Sequence, residues 1–325
     1  MLWRPSRIAA AASSLVLLAY FGLDGSRAFA ERPLIADLKW VHTDADAVAA
    51  LTMIPAECLV MSRNAERARL VRLGRVAFRS PVLLGGLAAR VGMSCDSCHR
   101  NGHDNPVFHF TGVSGDPGTA DVTGSVFSTN RDDGRLNPVV IPTLVDAASA
   151  PPFGTMRPVP DLRTFLHAAV VDEFQGEPPP QSVVEGMLAY IEGLQSAGCP
   201  KRRSEVVSFE ADARELLGII DVVIETLEHD DRHGGLFALT SLRAALERVY
   251  RRFPERVSAR EELIGLSRAL SRLRDLLEEQ GVSETIALLT AERLRFEAVL
   301  RKLGTQVDMS FYDPGVLRSG LDSAP

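Results

Sequence analysis

Five consecutive residues constrain this chain more than any other stretch: Cys95-Asp96-Ser97-Cys98-His99. A C-x-x-C pair followed at once by histidine sets two thiols about one helical turn apart with an imidazole beside them. With 4 cysteines and 7 histidines in 325 residues, chance gives on the order of 0.001 such runs. A structural zinc site of this kind needs a second ligand pair, and the sequence has no second C-x-x-C. The spacing is that of covalent haem attachment, in which two sulfurs add to the vinyl groups along one edge of the ring and the histidine offers its imidazole to iron. Cys95 and Cys98 are the candidate cofactor-binding thiols and His99 the candidate iron ligand. The implied cofactor is one covalent haem c.

Residues 1–30 read as a secretory signal. Arg4 and Arg7 form a basic start, Ile8 to Leu23 an apolar run, and Ala28-Phe29-Ala30 a small-residue cleavage site. The apolar run is short for a membrane span, an uncleaved anchor being the alternative. No later stretch has 18 uninterrupted apolar residues, so the mature chain is expected to be soluble. Covalent haem attachment takes place on the exported side of a bacterial membrane, which makes the periplasm the expected location. Removing Arg4, Arg7, Arg27 and Asp24 takes the formal charge from −6 to −8. No Lys/Arg block of the kind that binds nucleic acid is present. An acidic surface suits steering toward basic redox partner proteins. Cys58 and Cys199 remain after the C-x-x-C pair and flank it on either side. In an oxidising compartment they suit a disulfide, with two free thiols as the alternative.

Residues 31–200 form the expected haem domain, with 31–62 as an irregular lead-in. Glu66 to Phe78 carries Leu70, Leu73, Val76 and Ala77 at helical spacing, and Ser80-Pro81 stops it. Gly74 and Phe78 in this helix, with Val184, Met187, Leu188, Tyr190, Ile191 and Leu194 in a later one, resemble the first and last helices of the class I cytochrome c fold. That resemblance implies a close crossing of the two helices at the glycine. Leu73-Gly74-Arg75 through Phe78, Leu83-Leu84, Ser94 through His99, Ile141 through Ala147 and Pro151-Pro152-Phe153-Gly154 are similar to the bacterial di-haem cytochrome c peroxidase family, which includes the maturase of methylamine dehydrogenase. The resemblance covers about residues 70–196 and implies the fold. The family's enzymes carry two C-x-x-C-H runs and this chain has one, so the peroxidase activity is not carried over with it.

Residues 100–140 are rich in Gly, Asp, Asn, Ser and Thr, with turn signals at Asn105-Pro106, Asp116-Pro117-Gly118 and Asp133-Gly134. A loop this long is usually functional, and it is expected to wrap the ring, with Phe108 and Phe110 packed on the porphyrin. For the second axial position Met156 is the leading candidate, because thioether ligation suits an electron-transfer haem and Gly154-Thr155-Met156-Arg157-Pro158 is a flexible loop. His103 and His109 are the alternatives, as is an open site. In an open site Glu173, on an expected helix from Asp161 to Phe174, would be an acid/base group, its bland reading being a solvated helix charge.

After Cys199-Pro200-Lys201-Arg202-Arg203 the composition shifts to helix formers. Apolar residues recur by threes and fours through Leu216 to Leu227, Leu239 to Phe253, Leu263 to Leu277 and Ile286 to Leu303. Gly234-Gly235, Pro254 and Gly281 are expected to separate the four helices. Residues 201–305 thus predict an antiparallel helical bundle, and 306–325 a loose tail. The same spacing would also suit a dimer through the C-terminal helices, intramolecular packing being the default. The fold class expected is all-α: a cytochrome c-like haem domain with long loops followed by that bundle. The function expected is an exported mono-haem cytochrome passing single electrons between partners. A peroxidase-like enzyme with an open iron site, or a haem-bearing sensor or assembly subunit, are the competing readings.

Overall fold

The structure, a computed structural model, describes residues 35–127, 130–254, 259–279 and 281–323. The secretory signal read in residues 1–30 lies outside the described residues. The lead-in is ordered. A 3-10 turn, Ala36–Trp40, precedes α1 (Ala47–Thr52), which is capped by the Asp46 carboxylate, and then β1 (Met53–Pro55). α2 follows at Ala65–Phe78, with the Asn64 side chain accepting from the Arg67 N–H at its start. Ser80 and Pro81 turn the chain into a 3-10 segment, as a cap residue followed by a proline at the first helical position should. Then come α3 (Gly86–Val91) and the single-turn α4 (Cys95–Cys98). The long loop region contains only the short strands β2 (Thr119–Ala120) and β3 (Val139–Val140), paired antiparallel. α5 (Leu162–His167) runs into a π-helical turn, Ala168–Glu173, and α6 spans Gln181–Gly193.

α2 and α6 cross at two glycines. A Cβ built on Gly74 would stand 1.9 Å from the Gly186 carbonyl oxygen, and one on Gly186 would stand 2.8 Å from the Gly74 nitrogen. Only residues without side chains allow backbones this close. One turn on, Phe78 packs on Tyr190 with ring centroids 5.1 Å apart. The buried face of α6 runs through Val183, Gly186, Met187, Tyr190 and Ile191, while Val184 and Leu188 are half-buried.

β4 (Ser204–Val206) pairs antiparallel with β1, Met53 opposite Val206. Beside that pair Cys58 and Cys199 are joined as a disulfide across a sequence separation of 141. Closing a loop of that length removes about 5 kcal/mol of unfolded-chain entropy in the chain-entropy model. Four long helices follow: α7 (Phe209–Glu228), α8 (Arg232–Arg251), α9 (Ala259–Glu279) and α10 (Val282–Gly304). They pack α7 on α8, α8 on α9, α9 on α10 and α10 on α7. Their apolar stripes are buried, from Leu216 through Leu303.

Two expectations change. Gly234 and Gly235 are not a connector but the first turn of α8, whose real start is the Asp231 cap. A Cβ at Gly235 would meet the Leu227 side chain at 2.3 Å, so glycine here lets α8 fold back tightly on α7. Residues 306–323 are not loose. α11 (Pro314–Asp322) puts Phe311 and Leu317 into a small core with Ile35 and Leu51. Buried Arg252 donates to the carbonyls of Phe311 and Leu51 and so ties this closure to the end of α8. The described residues form one compact unit. Among the described residues no helix is long and apolar enough to cross a membrane.

The glycine crossing gives a paired test. Gly74→Ala overpacks the α2–α6 contact and should cost about 3 kcal/mol or prevent folding. Gly218→Ala, at an exposed position of α7 with nothing within 4 Å of its added Cβ, should stabilise by roughly 0.5–1 kcal/mol. Thermal melts of the two variants check both signs.

Candidate functional site: the Cys95–His99 turn

Ser94 starts the turn with a reciprocal cap: its backbone N–H donates to Ser97 Oγ and its own side chain accepts from the Ser97 N–H. The turn is one helical repeat long and ends as His99 leaves helical geometry at φ −113°. Asn101 then takes the left-handed conformation, φ 50° and ψ 33°, which asparagine tolerates better than most residues. Its partners explain why it stays there. Its N–H donates to Asp96 Oδ1 at 2.8 Å, its Nδ2 donates to the Pro55 carbonyl at 2.8 Å, and its Oδ1 accepts from Arg79. Asn105 Nδ2 reaches back to the Ser97 carbonyl at 2.8 Å. The turn is therefore held from behind by side chains rather than by its own length.

Cys95 and Cys98 are unpaired and half-buried. Burial pushes both thiols up to about 12, with the Asp96 charge adding to the rise at Cys95 and the Cys95 sulfur to that at Cys98. Neutral thiols of this kind are poor thiolate ligands and poor redox nucleophiles. His99 lies against the segment after β3, its Nδ1 2.9 Å from the Pro142 carbonyl. A carbonyl only accepts, so Nδ1 carries the proton and Nε2 presents its lone pair. Burial lowers the imidazole to about 4, against the pull of that carbonyl and of Asp104. The ring is thus neutral at physiological pH. Among the described residues no group of three His, Cys, Asp or Glu side chains converges to hold a metal ion. The turn offers two neutral thiols and one unprotonated imidazole nitrogen.

The other predicted residues are placed as follows. Met156 is half-buried in a loop closed by the Phe153–Val159 bridge, two hydrogen bonds of 2.8 Å. No hydrogen bond ties it to the turn among the described residues. His103 and His109 are engaged elsewhere. His103 Nε2 lies 3.1 Å from the Ala56 carbonyl, and the His109 ring meets His42 edge-on at 5.1 Å. Phe108 is fully buried core. Phe110 stacks on Phe127 at 6.0 Å, and Phe127 packs on Phe174 at 5.0 Å. The solvated reading of Glu173 does not hold, for its side chain is buried and pairs with buried Arg131 at 3.1 Å. Burial outweighs Arg131 and Arg157, helped by the Asp172 charge, and lifts the carboxyl to about 7.

Sequence reasoning missed a ladder of charges behind the turn. Tyr190 Oη donates to Glu57 at 2.7 Å. Glu57 also takes Arg75 Nε at 2.9 Å and Arg79 Nη2 at 3.1 Å. Arg79 Nη1 reaches Glu215 on α7, which takes Arg248 of α8 at 2.8 Å. Burial alone would raise both carboxyls. Arg79 and Arg75 hold Glu57 below its ordinary value, and Arg79 and Arg248 bring Glu215 down to about 2. A cleft of about 600 Å³ runs along this ladder between α2, α7 and α8. The partners lie up to 136 residues apart, so no local pattern announces them.

Comparison with protein-family models, curated proteins and solved structures gave no match to this chain.

Two outcomes are expected. Arg79→Met leaves Glu57 and Glu215 short of their shared cation and should cost about 3–5 kcal/mol in denaturant unfolding. Glu173 has a folded value near 7, above its unfolded one, so it favours the fold below about pH 4.5 and loses that advantage as pH rises to 7. Stability of the wild type relative to Glu173→Gln should fall across that window by on the order of 3 kcal/mol, read from urea midpoints at each pH.

Proposed function

We propose that this chain is an exported mono-haem c-type cytochrome that carries single electrons between partner proteins. The observation that carries the reading is the His99 ring: Nδ1 donates to the Pro142 carbonyl, which leaves Nε2 unprotonated, and two neutral, unpaired thiols precede the ring by four residues and by one. Ligating histidines are commonly oriented by a carbonyl acceptor on the other ring nitrogen. Cys95 and Cys98 would hold the ring covalently and His99 would supply an axial nitrogen. Met156, in its bridged loop, is the proposed ligand for the opposite face. The Gly74–Gly186 crossing with Phe78 on Tyr190 supports a cytochrome c-like frame for that site. The haem supplies reversible one-electron chemistry, while the protein orients and partly buries it. The Arg79–Asn101–Asp96 contacts keep the attachment turn in one geometry.

A second reading has its own observation. Glu173 is buried on a π-helical turn with a carboxyl near neutrality, the poise expected of a general acid/base. On this reading Glu173 would serve small-ligand or peroxide chemistry, were the iron site open.

Co-production with a c-type maturation system should give one covalent haem per chain, seen by haem staining after denaturing electrophoresis and by mass. Cys95→Ala or Cys98→Ala should weaken or abolish it. A wild-type chain without covalent haem under those conditions sinks the reading. A ferric near-infrared thioether band, lost in Met156→Ala, supports the electron carrier. A high-spin ferric spectrum that responds to peroxide, with the response slowed in Glu173→Gln, supports the enzyme.

A further inference from the structure

The two sulfurs of the Cys58–Cys199 disulfide live in different surroundings. Cys58 is 2% exposed, while Cys199 is exposed at the start of the segment leading to β4. His103 stands on the buried side, Nε2 3.6 Å from Cys58 Sγ. The same nitrogen lies 3.1 Å from the Ala56 carbonyl, so it carries a hydrogen and is a donor. A neutral disulfide sulfur accepts that hydrogen weakly, and a thiolate accepts it strongly. The site is held by contacts that survive cleavage of the bond: Gln195 N–H to the Cys58 carbonyl at 2.8 Å, the Leu59–Leu194 bridge and the β1–β4 pair.

We propose that Cys58–Cys199 is a polarised thiol-exchange site for a dithiol reductant, attacked at Cys199 and releasing Cys58 against the His103 N–H. One thiolate of the reductant attacks Cys199 Sγ. The S–S bond breaks, its electron pair leaves on Cys58 Sγ, and a mixed disulfide joins the reductant to Cys199. The reductant's second thiolate then attacks its own sulfur in that mixed disulfide and expels Cys199 as a thiolate, which takes a proton from water. The reductant has lost two electrons and the protein has gained them. The His103 N–H stabilises the Cys58 thiolate in the first step, and the leaving-group quality of that sulfur helps set the rate. The proposal holds whether or not the Cys95–His99 turn carries haem.

The full-length protein, in buffer without denaturant, is treated with dithiothreitol or with glutathione, quenched by alkylation and mapped at each cysteine by peptide mass. Dithiothreitol should open Cys58–Cys199 while circular dichroism remains that of the folded chain. Glutathione should be found on Cys199. His103→Phe should slow opening by about tenfold, and His103→Gln, which keeps an N–H donor, should restore most of the rate. Opening only at the rate of global unfolding, glutathione on Cys58, or an unchanged rate in His103→Phe would each overturn the proposal. Should His103→Phe not fold, the sulfur that glutathione occupies in the wild type decides alone.

Discussion

The contact between Gly74 and Gly186 is the constraint on which the N-terminal half depends. Because the backbones of α2 and α6 touch there, the aromatic residues one turn later are drawn together, and Phe78 meets Tyr190. That places the Tyr190 hydroxyl against Glu57, and Glu57 in turn fixes Arg75 and Arg79 on the other face of α2. Arg79 then reaches Asn101 and with it the turn that carries Cys95, Cys98 and His99. A steric permission at one point thus propagates, through a ring contact and a series of charge-assisted hydrogen bonds, to the candidate site.

The C-terminal helices share one apolar core with α2 and α6 and also meet α2 through charge. α7 and α8 are held to each other by buried leucine, isoleucine and valine side chains. Toward α2 they offer Glu225, which meets Arg72, and Glu215, which meets Arg75 and Arg79 and is itself paired with Arg248, along a cleft. Ion pairs behind a cleft give geometry more than net stability, because desolvation offsets much of their attraction. The site's rear wall is therefore specified by directional contacts, while the cohesion of the fold comes from the bundle stripe and the glycine crossing.

What was legible in the sequence follows from the range of the interaction that fixes each part. The stripes of α7 to α10 repeat every three or four residues and are visible locally, and nearly every residue they named is buried. Gly74 and Phe78 were legible as a pair on one helix, but Gly186 was not, because nothing in its own neighbourhood distinguishes it until α2 lies against it. Gly234-Gly235 looked like a break because glycine usually is one; here the Leu227 side chain takes the space a Cβ would fill. Glu173 looked solvated because a carboxylate on a short helix usually is. Its burial depends on Arg131 from a loop 42 residues earlier. The C-x-x-C-H turn is fully visible as a pattern, yet the carbonyl that orients its histidine comes from Pro142, 43 positions on.

The pairing of β1 with β4 has a consequence for how such a chain can assemble. Ile54 finds its partner at Glu205, Cys58 at Cys199, and Arg79 completes its contacts only with Glu215. A chain emerging N-terminus first reaches each of these partners late. Its early segments must wait, half-dressed, until the strand and helix that close over them arrive, since distant pairings repay their loop-closure entropy only at the end. The turn at Cys95–His99 lies inside that waiting stretch, and its two thiols are half-buried in the finished fold.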